Sequence, residues 1–105
     1  MSDLWFGIKL TSQEVPAKAF MLIKKATGVP PTVVKKSIQD DECFYICDFG
    51  DTDGLSTINH LNEGLRAIGL ETKLYEHGVE KDEAFFSSIE KLHREIEEEV
   101  EAYPD

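Results

Sequence analysis

Three carboxylates fall within seven residues in the run Asp48-Phe49-Gly50-Asp51-Thr52-Asp53-Gly54, a composition that a hard divalent cation favours. A calcium loop places its turn glycine at the sixth position and oxygen donors at the first and twelfth. With Gly54 in the sixth place, the first and twelfth fall on Phe49 and His60, and neither supplies an oxygen. The run therefore reads as an acidic turn in which Asp53 or Ser56 caps the helix that follows. His60, His77 and His93 are scattered, and no pair has the spacing of metal ligands. His60, beside Asn59 and Asn62, is expected at the surface; His93, among Lys91, Arg94 and Glu97, is expected to pair with an acid. Cys43 and Cys47 stand four apart in ECFYICDF, a segment that reads as a strand and would space them by roughly 13 Å. A disulfide needs Cα atoms within about 7 Å. The two are therefore expected as buried thiols on one face of the sheet rather than as a bridge. No spacing suggests a Ser-His-acid or Cys-His set, and no glycine-rich phosphate loop is present. These residues assign no catalytic group, no metal and no cofactor, and the expectation is a chain that catalyses nothing.

Ionic docking is the chemistry the chain is better supplied for. Its net charge is −10, which opposes nonspecific binding to nucleic acid or to an anionic membrane. The charge is unevenly placed. Residues 1–40 carry six lysines and three acids, a net of +3, and residues 41–105 carry a net of −13. Lys18, Lys24, Lys25, Lys35 and Lys36 form the basic cluster. It reads either as two solvated helix faces or as a docking face for an acidic protein surface. The opposite pole is Glu97, Glu98, Glu99 and Glu101, at the end of a helix whose macrodipole disfavours negative charge there. That end is expected to fray unless a basic surface meets it. Self-association, with the lysine face of one copy on the acidic helix of another, is one way to supply such a surface.

The elements that must carry these residues follow from periodicity. In LWFGIKL, residues 4–10, Leu4, Phe6, Ile8 and Leu10 alternate with Trp5, Gly7 and Lys9, the pattern of a half-buried strand. Pro16 opens a helix to about Thr27, with Ala19, Phe20 and Ile23 inside, Lys18 and Lys25 outside, and Gly28 as terminator. Pro31 opens a second helix to Gln39, which buries Val34 and Ile38. A strand over Cys43–Phe49 follows, then a helix over Leu55–Ile68 closed by Gly69, then a strand over Leu70–Tyr75. His77 and Gly78 begin a linker, and Asp82 caps a last helix over Glu83–Tyr103. Its stripe is read as Phe85, Ile89, Leu92, Ile96 and Tyr103, with Val100 beside it.

This order, and several residues, resemble the C-terminal domain of the bacterial ribosomal stalk protein over residues 5–76. That family places a basic residue two or three positions before Thr-Gly, as in Ile23-Lys24-Lys25-Ala26-Thr27-Gly28. Its Ala-Lys pair on the second helix is matched by Val34-Lys35, and its Leu-x-x-Ala/Ile-Gly before a strand by Leu65-Arg66-Ala67-Ile68-Gly69. The resemblance implies that lysines of the helical pair, Lys24 and Lys35 by position, recruit a protein partner. The family's Gly-x-Gly-x between the helices is replaced by Val29-Pro30-Pro31-Thr32, and the acidic last helix is additional, so the likeness is one of fold and not of membership. The adaptor of the Clp protease is similar in overall fold, with Ser12-Gln13-Glu14 where that family has Asn-Asp-Asp. The Asp-Phe-Gly triplet at residues 48–50 is also found in protein kinases, but 105 residues leave no room for the other kinase parts.

The expected protein is one α+β domain. A β-α-α-β-α-β core over residues 1–78 has three strands with helices on one face, and residues 79–105 form an acidic helix packed on that core or on a partner. The expected role is non-catalytic protein–protein docking through the lysine face, the acidic helix or both. The alternative is a small acidic immunity, antitoxin or phage-type inhibitor that caps a basic target. A homo-oligomer is allowed, nucleic acid and membrane are not, and with no apolar run near 20 residues and no signal peptide visible the expected location is the cytoplasm.

Overall fold

A computed structural model describes residues 4–12 and 14–102, with side chains as far as residue 95. The chain is α+β, in the order β1 (Trp5–Leu10), α1 (Ala17–Thr27), α2 (Pro31–Gln39), β2 (Tyr45–Asp48), α3 (Thr52–Ala67), β3 (Thr72–Glu76), β4 (Val79–Lys81) and α4 (Glu83–Ala102). The strands form one antiparallel sheet in the order β2-β1-β3-β4. Period-two alternation turns Phe6, Ile8 and Leu10 of β1, Cys47 of β2 and Leu74 of β3 toward the helices. They meet Ala19 and Ile23 of α1, Val34 of α2, Leu55, Ile58, Leu61 and Leu65 of α3, and Phe86 of α4 in one continuous core.

The sheet has four strands, not the expected three. The two residues read as the start of a linker are instead a turn: His77 and Gly78 both have positive φ, 52° and 86°, and Glu76 pairs with Val79 across them. Two left-handed residues between paired strands make a tight hairpin that follows the natural strand twist. The sheet therefore continues past residue 78, through β4.

Helix ends account for the other differences in boundaries. Asp51, rather than Asp53 or Ser56, caps α3, its Oδ1 accepting from the Gly54 amide at 2.9 Å, so this helix starts three residues early. Gly54 is in the first turn of α3 for a packing reason: a Cβ there would stand 2.5 Å from that of Cys47. The far end of α3 is a Schellman motif. Gly69, φ 90°, donates to the Arg66 carbonyl and Leu70 to that of Leu65, which takes Leu70 out of the strand expected to begin with it. The end of α2 repeats this geometry, with Asp41 at φ 57° and the Glu42 amide on the Ser37 carbonyl.

Candidate functional site

The basic cluster divides once it is placed in space. All five lysines are exposed. Lys18, Met21 and Lys25 recur at helical spacing on the outer face of α1, and with Leu22 and Lys24 they line a shallow apolar hollow. Met21 is 72% exposed, a large apolar side chain in the middle of three cations. Lys35 of α2 belongs to a second hollow, between α1 and α2, with Val15, Phe20, Ile38 and Gln39. Its Nζ stands 5.5 Å from the Phe20 ring centroid, within range of a cation–π contact. Lys36 lines neither hollow. Among the described residues, none of the five is in an ion pair; the pairs present are Lys9–Asp41, Arg66–Glu83, Lys73–Glu80 and Arg94–Glu90.

Helix electrostatics explain part of the cluster. Lys24 and Lys25 lie in the last turn of α1 and Lys36 in the last turn of α2, where a cation complements the macrodipole. Lys18 is in the first turn of α1, where the dipole disfavours it, so the local helix gives no reason for its charge.

The acidic pole belongs to α4. This helix is clamped to α3 by Asn59 and Asn62, whose side-chain amides donate to Glu90 and Glu83 at 2.7 Å, and by Arg66 and Arg94, which bond Glu83 and Ser56. Asn62 also accepts from Thr72. Burial raises the Glu90 carboxyl, but the hydrogen bonds from Asn59 and Arg94 outweigh it and hold the group below its ordinary range. Beneath these bonds the fully buried side chain is Phe86, whose ring meets Phe6 edge-on at 5.2 Å. The stripe expected through Phe85, Ile89 and Leu92 holds in part: Phe85 and Ile89 are half-buried against the core, but the fully buried position is Phe86, His93 follows it inward, and Leu92 is 50% exposed. His93 packs its ring on Phe49 at 6.0 Å, where an acid partner was expected. Glu97, Glu98, Glu99 and Glu101 are at positions of α4 whose side chains lie outside the described residues, as do Ile96 and Val100; Tyr103 lies beyond the described helix.

Of the remaining chemistry-bearing groups, His60 is exposed, as its sequence neighbours suggest, while His77 and the cysteines are engaged in structure. His77 accepts the Trp5 amide on Nδ1 at 2.8 Å and packs on Phe49, a role that its place in a presumed linker concealed. Cys43 and Cys47 occupy opposite faces of the sheet, not one. The chain bends at Phe44, outside the regular strand, so the alternation that would align them is broken. Cys43 lies over Gly7 on the helix-free face, and Cys47 packs on Gly54 beneath α3. Burial pushes both thiols up, Cys47 to about 11, so neither is a thiolate near neutral pH. The helix-free face carries a hollow of about 360 Å³ with Trp5, Lys9, Cys43, Ile46 and Tyr75 around it. Lys9 is held there by Asp41 at 2.6 Å, and that hydrogen bond keeps the ammonium above its ordinary pKa, unsuited to act as a base. Among the described residues no group of three or more His, Cys, Asp or Glu side chains converges as a metal site. Of the described helices, none is long and apolar enough to cross a membrane.

No protein-family model matches the chain, and no curated protein or solved structure shows significant similarity to it.

Proposed function

We propose that this chain is a non-catalytic protein-docking domain whose binding face is the outer surface of α1, extended by Lys35 of α2. The observation that supports this is Met21, 72% exposed and bordered by Lys18, Lys24 and Lys25, none of which has a carboxylate partner among the described residues. An apolar anchor ringed by unpaired cations fits an acidic protein surface that offers one apolar side chain. Burial of the anchor would supply affinity, and the charges rate and orientation. The likeness of the α1–α2 pair to the ribosomal stalk domain, in which lysines of that pair recruit protein factors, points the same way for Lys24 and Lys35. A second reading takes the end of α4 as the binding surface, for a basic target, as in an acidic inhibitor. It is favoured by the absence of any basic residue from the last turn of that helix.

Affinity capture from the native host with mass spectrometry separates the two. Lys18→Glu/Lys24→Glu/Lys25→Glu is expected to lose the partner that the wild-type chain captures, and Glu97→Gln/Glu98→Gln/Glu99→Gln/Glu101→Gln to keep it. A captured copy of the chain itself does not count here, since each variant keeps one of the two charged surfaces; for any other partner, the reverse outcome would establish the acidic helix as the docking surface, and retention by both variants would remove both readings.

A further inference from the structure

We infer that the partner of the lysine face is a second copy of this chain, docked through the acidic end of its α4. The inference rests on the docking reading above and names the occupant of that face.

Its basis is that each surface has what the other lacks. On α1, Lys18, Met21 and Lys25 fall at i, i+3 and i+7, so one face presents cation, apolar side chain, cation. On α4, Leu92, Glu95 and Glu99 fall at the same spacing, and Glu97, Glu98 and Glu101 follow on the same segment. Leu92 is 50% exposed and Met21 72%, so each face has an apolar side chain its own fold does not cover. Between residues 97 and 105 there are five acids and no base, at a helix end that favours positive charge.

Satisfaction within one copy is hindered by α3. Leu22 of α1 packs at Gly64 on one flank of α3, while α4 is held at Asn59, Asn62 and Arg66 on the other. The lysine-bearing α1 and the part of α4 from Glu83 to Glu90 therefore lie on opposite sides of a helix that is itself packed on the sheet. A second copy brings the two charged surfaces together without moving any of the buried contacts. The contact joins two different surfaces, the lysine face of one copy and the acidic helix of the other. It closes into a pair if it is made reciprocally and otherwise grows head to tail.

The test is the mass of the full-length chain in solution, by sedimentation velocity and light scattering, at about 50 mM and about 500 mM salt, where screening lengths differ severalfold. The wild-type chain is expected to associate at low salt and to dissociate at high salt. Lys18→Glu/Lys24→Glu/Lys25→Glu places acid against acid, and Glu97→Lys/Glu98→Lys/Glu99→Lys/Glu101→Lys places base against base, so each alone is expected to be monomeric. Mixed one to one, both interfaces of the pair are again complementary and association is expected to return. Circular dichroism shows whether each variant is folded; should one not be, Met21→Asp takes its place, at a side chain outside the core, and is expected to weaken association about tenfold or more.

A wild-type chain that stays monomeric at about 100 µM in low salt, weaker than the micromolar range of ordinary specific complexes, overturns the inference. So does a mixture of the two folded variants that stays monomeric, or variants that associate as the wild type does. If the chain is monomeric and the lysine variant still loses a captured partner, the docking face stands and only its occupant is wrong.

Discussion

Asp41 takes a left-handed backbone angle, φ 57°, which most L residues avoid and Asp tolerates, and it makes an ion pair from there. It terminates α2 in a geometry usually given to glycine, and from that position its carboxylate reaches the Lys9 ammonium, which stands 5.5 Å from the Tyr75 ring centroid. The two titrations are displaced in opposite directions. The hydrogen bond from Lys9 holds Asp41 below its ordinary 3.8, and the same bond raises Lys9 above its ordinary 10.5. A depressed carboxyl contributes stability above its unfolded pKa and loses it as pH falls through the folded value. A raised ammonium contributes fully below its unfolded pKa and loses it as pH rises through the folded value. Asp41→Asn keeps a residue that tolerates the left-handed angle and removes the charge. Melting temperatures across pH should therefore show the wild type ahead of Asp41→Asn by a constant margin from about pH 5 to pH 10, closing on both sides. A margin that does not change down to about pH 2 would mean that the pair contributes nothing. The sequence signalled none of this, because Lys9 and Asp41 are 32 residues apart and meet only when α2 ends beside β1. Lys18 to Lys25 were readable as a surface because helical spacing alone puts them on one side.

At the scale of elements, α2 is bounded by Pro31 and Gln39 as the sequence indicates, since a proline at the first helical position marks a start without further context. α4 shows the limit of the same method. Both 85-89-92 and 86-89-93 satisfy a helical period through this segment, and Ile89 belongs to each. The polar imidazole of His93 argues locally against the second, but the Phe49 ring beside it in space makes that position apolar on balance. β4 was hidden for a related reason. His-Gly is a weak form of the Asn-Gly signal, and the imidazole is retained there by its bond to the Trp5 amide. The stripe assignment can be measured directly in urea. Phe86→Ala should cost about 3–5 kcal/mol, as a fully buried phenyl against Phe6, and Leu92→Ala no more than about 1 kcal/mol. Equal losses, or a larger one at Leu92, would restore the stripe read from the heptad.

Over the whole molecule α1, with its lysines, and the first turns of α4 take opposite flanks of α3. The lysines of α1 allow a role in folding to be separated from the proposed role in docking. Lys18→Glu and Lys25→Glu each take the net charge from −10 to −12, so general repulsion changes equally in both. They differ in place. Lys18 is in the first turn of α1, where an acid is favoured, and Lys25 in the last, where a base is. Lys25→Glu is therefore expected to be less stable than Lys18→Glu by about 0.6–2 kcal/mol at low salt, from two opposed helix-end effects of about 0.3–1 kcal/mol each. The gap should narrow as salt screens it. Docking is expected to fall to a similar extent in both, since each removes one cation from the border of Met21. Denaturant midpoints set beside binding or association constants for the two variants decide the matter. If the loss of docking follows the loss of stability, and Lys18→Glu binds as the wild type does, the lysines serve the helix ends of α1 and the docking face must be sought elsewhere.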